Sequence, residues 1–467
     1  MFNSRSATAR QAGQRDGEPT IALDDLRVGM FIHLDGGWLS HPFARSSFRV
    51  ANAQQIATLR GLKLSRVRWS PELSDPASLP GGALLPGRAA GLRGEPDGAV
   101  AGGEAQDPPH AAATDGATPE NAPAQTAHVA ALAAERHVQQ QCEQQFAEAT
   151  AAWRKASDAL PADPAAARTG TDALAQALTD KLMTDGDVGI RLLPGGGNDR
   201  AAAHALNVTV ISMLLARSLG LPREDLAEIA LGALLHDVGK LELPERARHV
   251  EVGCSAAETM AYREHVARGI VTARRMGLPE GALAVIAQHH EHADGSGFPS
   301  RMSGDRMSLA GRIVAIVNRY DNLCNPGTRT PPLTPHEAVA MLFAHGRTRY
   351  DASVLNAFIR MMGVYPAGSL VQLTDERFAM VVAVNSTRPL KPRVLVHEAG
   401  VPRSEALLLD LEREPDLGIR RSLAAAKVPS AALQYLDPRP RVAYFFESLA
   451  TVGASAAAPA RELVAAA

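Results

Sequence analysis

The stretch ALLHDVGK, residues 233–240, ends an apolar segment with a histidine beside an aspartate and continues into a glycine and a lysine. The apolar residues before His236 recur at helical spacing, so the pair should lie at the end of a helix. A single histidine in such a place is more often a packed or surface residue than a ligand. The interpretation therefore depends on where the other histidines of this helical region fall.

Four further histidines lie within or at the ends of neighbouring predicted helices, namely His204, His265, His289 and His290. Neutral imidazole and carboxylate ligands suit Fe, Mn, Zn or Ni, and a helix bundle can direct side chains from several helices to one point. Burying so many imidazoles without partners would be costly. The sequence predicts a metal centre with room for two ions, which Asp237 could bridge through its two oxygens.

The composition changes along the chain, and the helix start and stop signals cluster in its middle part. Together they predict a mainly α protein with a small domain on each side of a helical bundle. The predicted segments are a small α+β N-terminal domain at 20–73, a disordered Ala/Gly/Pro linker at 74–127, a helical connector at 128–169, a helical domain at 170–363, a small β-rich C-terminal domain at 364–448 and a tail at 449–467.

The charge balance excludes a strongly basic nucleic-acid-binding protein, because 48 basic residues face 50 acidic ones. The three cysteines have no CxxC or CxxH spacing, which favours a reducing compartment. The first residues lack an apolar signal core, and no segment reaches the roughly 18 apolar residues of a membrane span. We therefore expect a cytoplasmic chain without a membrane span.

The connector carries a heptad-like seam of Cys142, Phe146, Ala149, Trp153, Ala156 and Leu160. A seam of this kind fits a helix that packs on its own domain and equally fits a homodimer through residues 128–160. Both alternatives stay open at the level of the sequence.

Four blocks resemble the HD-GYP subgroup of the HD-domain metal-dependent phosphohydrolases. The segment HDVGKLELPE (236–245) is similar to HD-x-GK-x-x-x-P, EHVARG (264–269) to H-x-x-x-G, HHEHADGSGFP (289–299) to HHE-x-x-DG-x-GYP, and LAGRIVAIVNRYDNL (309–323) to the helix that supplies the last metal ligand. The resemblance covers about residues 185–363 and implies an HD-domain helical bundle as the central catalytic-type domain. LRVGMFIHLDGGWLSHPF (26–43) resembles the small domain often found before HD-GYP domains.

The resemblance implies hydrolysis of cyclic di-GMP to pGpG or GMP at two divalent metals, with Fe or Mn as the first expectation. It implies that one ion is held by His204, His236, Asp237 and residue 318, and the other by Asp237, His265, His289 and His290. Lys240 would act beside Asp237 by facing the phosphate. The loop of Asp294, Gly295, Gly297, Phe298 and Pro299 would lie at the mouth of the site, where family members also contact diguanylate cyclase (GGDEF) domains.

The sequence departs from the family pattern at several positions. Asn318 stands where the family has a ligating aspartate, which predicts weaker metal binding beside His204 and His236. Asp321, one turn later, could substitute, although the family has an aspartate there as well. Arg200 stands where members with a third metal have glutamate, which predicts at most two ions.

Two changes affect the ligand side of the site. Phe298 replaces the tyrosine of the GYP signature, which removes a hydroxyl but keeps the ring. DNLCNPGTRTPPLTP (321–335) replaces a segment whose basic residues help to hold the ligand, and Arg329, although out of register, could compensate.

Three functions remain open from the sequence. The leading one is a cyclic di-GMP phosphodiesterase with a two-metal site, whose activity Asn318 would reduce. The second is a catalytically degenerate signalling module that binds a nucleotide or a protein, which Asn318 and the missing basic segment favour. The third is an HD hydrolase that acts on another nucleotide or a phosphomonoester.

Overall fold

The computed structural model describes residues 19–35, 41, 43, 47–62, 64–79, 122–183, 188–193, 199–249, 253–327 and 330–448. The chain forms two compact units, one of Met1–Asp35 with Arg45–Ala131 and one of Gly36–Ala44 with Leu132–Ala467. The expectations for Arg329, for the tail at 449–467 and for residues 80–121 of the linker concern positions outside the described residues.

The first unit contains a four-stranded antiparallel sheet and one helix. Its elements are β1 (Thr20–Ala22), β2 (Phe31–His33), β3 (Ser47–Arg49), α1 (Ala53–Gly61) and β4 (Arg66–Ser70), and the strand order is β1-β4-β2-β3. The helix begins after Asn52, whose side chain accepts a hydrogen bond from the backbone N–H of Gln55. The predicted α+β character is confirmed.

The second unit is mainly helical, which confirms the predicted fold class. Its helices are α2 (Ala122–Ala159, which begins in the first unit), α3 (Pro164–Leu182), α4 (Arg200–Ser218), α5 (Arg223–Leu235), α6 (Ala256–Arg275), α7 (Glu280–Gln288), α8 (Leu309–Cys324), α9 (Pro335–His345), α10 (Ala352–Met362) and α11 (Ser430–Leu436). Capping boxes fix the starts of α6, through Ser255 and Glu258, and of α9, through Thr334 and Glu337.

A second antiparallel sheet forms part of the same unit. Its strands are β5 (Val188–Leu193), β6 (Leu370–Leu373), β7 (Phe378–Asn385), β8 (Arg393–Val396), β9 (Leu407–Asp410), β10 (Ile419–Ser422) and β11 (Ala443–Ser448). The order is β10-β6-β7-β5-β11, with β8 on β7 and β9 on β8. β5 lies between α3 and α4, inside the segment predicted to be helical, yet it pairs with β7 and β11, so the sheet joins the predicted helical and C-terminal domains.

Helix α4 forms the centre of the second unit, where it packs on α5, α8 and β11. It is long and apolar enough to cross a membrane by length and composition alone. However, 72% of its most apolar window is buried inside the fold, which is typical of a core helix and makes it weak evidence for a span.

The heptad-like seam of α2 faces the core of its own unit. Phe146 and Ala149 are 4% and 0% exposed, and Cys142, Ala156 and Leu160 are also buried. The Trp153 indole N–H donates to the carbonyl oxygen of Leu234 at 2.8 Å. Intramolecular packing is thus the alternative that the structure supports. The expected homodimer through residues 128–160 has no support, because the apolar face that it would use is already covered.

Two motif glycines explain how the histidine-bearing elements approach one another. A Cβ on Gly239 would lie 2.0 Å from the carbonyl oxygen of His265 and 2.5 Å from the backbone N of Gly269. The turn after α5 therefore packs directly on the backbone of α6, which a side chain at Gly239 would prevent. This close approach brings the segment of His236 and Asp237 against His265.

Candidate metal centre

The five histidines come from four successive helical elements of one bundle. His204 lies in α4, His236 follows the last residue of α5, His265 lies in α6, and His289 and His290 follow α7. Asp199 fixes the start of α4, because its side chain accepts a hydrogen bond from the backbone N–H of Ala202. Each imidazole therefore projects from a defined turn of a packed helix.

Backbone carbonyl groups determine the tautomer of three of these rings. The Nδ1 atoms of His236, His265 and His289 lie 2.7, 2.5 and 2.8 Å from the carbonyl oxygen three residues earlier in the chain. A carbonyl oxygen can only accept, so Nδ1 carries the proton in each neutral ring. The Nε2 atom of each is left with a lone pair, which is the arrangement of a metal-ligating histidine.

The Nε2 atoms then meet in two pairs around one carboxylate. The Nε2 atoms of His204 and His236 are 3.1 Å apart, as are those of His265 and His289. Asp237 Oδ2 lies 3.5 and 3.4 Å from the first pair, whereas Asp237 Oδ1 lies 3.5 and 3.7 Å from the second. The two oxygens of Asp237 are therefore divided between two sets of nitrogens.

This arrangement fits cations. Imidazole nitrogens bind Zn²⁺ at about 2.0–2.1 Å, so two nitrogens that are 3.1 Å apart could contact the same ion. The unprotonated Nε2 atoms of His265 and His289 repel one another at that distance without a cation. Among the described residues, Asp237 Oδ1 is buried without a hydrogen-bond partner. One group of Asp237, His265, His289 and His290 and another of His204, His236 and Asp237 each bring their ligand atoms within 4.8 Å of one another.

Asp321 supports His204 from behind. Its Oδ2 accepts from His204 Nδ1 at 2.6 Å, and its Oδ1 accepts from the side-chain amides of Asn207 and Asn325 at 2.8 and 2.9 Å. Asp321 is fully buried. Both of its oxygens are thus engaged, so Asp321 orients a histidine rather than replacing residue 318 as a ligand.

Asn318 packs against the backbone of His289, and its polar atoms are partly engaged. It is 3% exposed, its Oδ1 accepts from the side-chain amide of Asn322 at 2.7 Å, and its Nδ2 donates to the carbonyl oxygen of His289 at 3.4 Å. An amide oxygen that already accepts a hydrogen bond and carries no charge is a poorer ligand than a carboxylate.

Tyr262 connects the second histidine group with Lys240. Its hydroxyl lies 3.1 Å from His290 Nε2, and its ring lies 5.1 Å from Lys240 Nζ. Lys240 Nζ also donates to Asp237 Oδ2 at 2.6 Å. Lys240 therefore lies at the carboxylate that both histidine pairs share.

Burial and charge set the protonation of the site. Burial disfavours the Asp237 carboxylate, but the charge of Lys240 and the hydrogen bond with His204 outweigh it and hold the pKa of Asp237 well below its usual value. Burial lowers the pKa of His265 to about 3 and of His289 to about 4. For His204, burial is outweighed by Asp237 and Asp321, which raise its pKa to about 9. Metal binding at His204 must therefore displace a proton.

The glycine-rich loop packs on the second histidine group. The Phe298 ring stacks on His290 with centroids 4.5 Å apart, and the Arg263 guanidinium lies 4.9 Å from the Phe298 centroid. A Cβ on Gly297 would lie 2.4 Å from the backbone N of His292, so this position requires glycine. Glu291 anchors the end of the loop by accepting from two backbone N–H groups, those of Ser300 and Met302.

Asp294 and Gly295 form a turn instead of approaching the histidines. Asp294 Oδ1 accepts from the backbone N–H of Ser296 at 2.9 Å, and Gly295 has φ +75°. Neither residue, nor Pro299, lines the cavity beside the metal centre. Their expected contact with a ligand remains a prediction.

A cavity of about 430 Å³ opens beside the centre. Its lining includes His204, Asp237 and Lys240, together with Trp153 of α2. The volume lies within the roughly 300–1,000 Å³ of small-molecule sites.

Fold and site together define a helical domain with a buried histidine–aspartate centre for divalent cations. Residues 194–354 match the family model described as HD domain, and residues 19–169 match one described as Domain of unknown function (DUF3391). The HD domain match and the names of the relatives support a metal-dependent hydrolase. The recognition made from the sequence is confirmed.

Among curated proteins, the chain is 26% identical over 387 residues to cyclic di-GMP phosphodiesterase PA4108 of Pseudomonas aeruginosa, covering 80% of this chain and 84% of that protein. It is 30% identical over 159 residues to 3'3'-cGAMP-specific phosphodiesterase 2 of Vibrio cholerae, covering 34% of this chain and 30% of that protein. The cyclic di-GMP phosphodiesterase response regulator RpfG of Xanthomonas campestris pv. campestris is 29% identical, covering 32% of this chain and 40% of that protein. The chain spans less than half of the latter two.

The solved structure of Bd1817, described as a HDG"Y"P protein from Bdellovibrio bacteriovorus, covers 73% of this chain and 98% of that chain at 14% identity. Its TM-score of 0.38 is too low to support an argument.

The sequence analysis missed the supporting residues of the site. Tyr262 contacts His290, Asn207 donates to Asp321, and Glu291 holds the end of the loop. Asp321 was predicted only as a substitute ligand, whereas the structure shows that it orients His204. Glu291 carried a signal, because it directly follows the paired histidines. The other contacts join residues that are far apart in sequence and have no local signature.

Proposed function

We propose that the chain is a cyclic dinucleotide phosphodiesterase that hydrolyses cyclic di-GMP to pGpG or GMP at a centre for two divalent metals, Fe or Mn. The observation that carries this proposal is the division of the two Asp237 oxygens between two pairs of histidine nitrogens. A carboxylate that faces two ligand sets can bridge two cations. The relatives named as cyclic di-GMP and 3'3'-cGAMP phosphodiesterases support a cyclic dinucleotide substrate.

In this proposal the chain supplies the ligands and the charges around them. His204, His236, Asp237 and Asn318 would hold one ion, and Asp237, His265, His289 and His290 the other. Bound divalent cations lower the pKa of a water molecule and neutralise phosphodiester oxygens, which permits in-line attack on phosphorus. Lys240 adds a positive charge at the shared carboxylate, where it would also face the phosphate.

A second candidate is a degenerate signalling module, and Asn318 favours it. Its amide oxygen accepts a hydrogen bond from Asn322, so the group of His204 and His236 lacks the negative charge that a carboxylate would add. Such a chain would bind nucleotide, or a partner such as a GGDEF domain, without turnover.

The two candidates are separated by metal content and turnover of the full chain. The protein is purified anaerobically, Fe and Mn are measured per chain, and it is incubated with cyclic di-GMP and 3'3'-cGAMP. Two ions per chain with steady release of a linear dinucleotide support the phosphodiesterase. A folded chain that binds cyclic di-GMP but releases no product supports the signalling module. Cleavage of 3'3'-cGAMP without cleavage of cyclic di-GMP would identify 3'3'-cGAMP as the substrate instead.

A further inference from the structure

Three arginines line the cavity beside the metal centre, namely Arg200, Arg248 and Arg441. Arg248 follows the turn after the HD motif, and Arg441 lies two residues before β11 of the C-terminal sheet. Within the described part of the chain, neither has a carboxylate within the 4.0 Å of an ion pair. Arg248 uses its Nε to donate to the carbonyl oxygen of Leu243 at 3.1 Å. Two guanidinium groups without carboxylate partners at one cavity favour an anionic ligand.

Arg441 is tied to the metal centre through a chain of hydrogen bonds. The backbone N–H of Val442 donates to the side chain of Asn325 at 2.9 Å, and the Val442 carbonyl accepts from the side chains of Asn325 and Asn207 at 3.0 Å each. Both asparagines donate to Asp321, which accepts from His204. The position of Arg441 relative to His204 is therefore set by buried polar contacts, although its side chain is exposed.

A cyclic dinucleotide carries two phosphodiester groups, and hydrolysis of one at the metal centre leaves the other in the neighbouring space. We propose, resting on the phosphodiesterase function above, that Arg248 and Arg441 bind the phosphate that is not cleaved. The C-terminal sheet is then part of the substrate site. This pair supplies the positive charge that is missing where DNLCNPGTRTPPLTP replaces the family's basic segment.

The test compares Arg441→Ala with Arg439→Ala in the full chain loaded with Mn²⁺. Arg439 is a matched control, because it lies two residues away, pairs with Asp437 at 3.1 Å and does not line the cavity. The substrates are cyclic di-GMP, with two phosphates, and bis(p-nitrophenyl) phosphate, with one. Calorimetry on the metal-free chain gives the Kd for cyclic di-GMP without turnover.

Loss of one charge-assisted contact should raise the KM and Kd for cyclic di-GMP about tenfold in Arg441→Ala. The kcat, and the hydrolysis of bis(p-nitrophenyl) phosphate, should match those of the parent and of Arg439→Ala. Arg248→Gln should likewise raise the KM and Kd for cyclic di-GMP and leave the hydrolysis of bis(p-nitrophenyl) phosphate unchanged.

Two results overturn the inference alone. One is an unchanged KM and Kd for cyclic di-GMP in Arg441→Ala while the parent binds it. The other is an equal loss with both substrates, which would place the effect at the metal centre or in the fold. If the parent hydrolyses the one-phosphate diester but neither binds nor cleaves any cyclic dinucleotide, the proposed function itself fails, and the inference fails with it.

Discussion

Replacing Asn318 by aspartate should make the stability of the protein depend strongly on metal. The side chain is 3% exposed, so Asn318→Asp adds a buried charge that has one hydrogen-bond donor, the amide of Asn322 at 2.7 Å. In metal-free protein a buried carboxylate costs several kcal/mol. The group can escape that cost by taking a proton, which at pH 7 limits the loss to about 4 kcal/mol from an ordinary pKa of about 3.9.

With metal present, the loss should shrink. A carboxylate adds charge and basicity to the group of His204 and His236, so metal occupancy per chain should rise. A metal concentration 100 times Kd stabilises the folded state by about 2.7 kcal/mol, which offsets most of the loss of about 4 kcal/mol. We therefore expect Asn318→Asp to lower the melting temperature in EDTA, and Mn²⁺ to raise the melting temperature of the variant more than that of the parent.

The assay measures thermal unfolding in EDTA and in Mn²⁺, together with the metal content after desalting. Asn356→Asp is the control, because it makes the same chemical change at an exposed position of α10. Unchanged metal content, together with the same shift in melting temperature with and without Mn²⁺, would refute the placement of residue 318 among the ligands.

Three further predictions test the surroundings of the site. Asp321→Ala removes the acceptor of His204 Nδ1, and metal affinity measured by titration should fall about 10- to 100-fold. Glu447→Ala takes away one of the two carboxylates at the buried Arg191, which keeps Glu135, and should cost about 1.5–3 kcal/mol of unfolding free energy in denaturant. Gly239→Ala places a methyl group 2.0 Å from a carbonyl oxygen of α6, and overpacking should cost about 1–3 kcal/mol or more.

Matched variants separate these effects from general damage. A Cβ on Gly61 meets nothing within 4 Å, so Gly61→Ala should leave stability unchanged. Arg420→Ala breaks an exposed ion pair with Glu376 and should cost less than about 1 kcal/mol. A wild-type metal affinity in Asp321→Ala would contradict its role in orienting His204, and a cost below about 1 kcal/mol for Glu447→Ala would contradict the assignment of a buried pair.

The sequence by itself singled out the five histidines and Asp237 and predicted that each lies in or at the end of a helix. Helix starts and ends depend on interactions within a few residues, so Asn52, Ser255 and Thr334 could be recognised as caps. The paired histidines and the HD pair are likewise local in sequence. For the same reason, the sequence also revealed the departure at Asn318.

Only the tertiary structure decided how these groups act on one another. The contact between His204 and Asp321 joins residues that are 117 positions apart in the sequence. The hydrogen bond from Asn207 to the carbonyl oxygen of Val442, which fixes the neighbouring Arg441, joins residues that are 235 positions apart. Contacts of this kind arise from the packing of whole helices and strands, which no local pattern specifies. The pairing of β5 with the C-terminal strands and the burial of the α2 seam were set in the same way, because an apolar face is covered by whichever partner the complete fold presents.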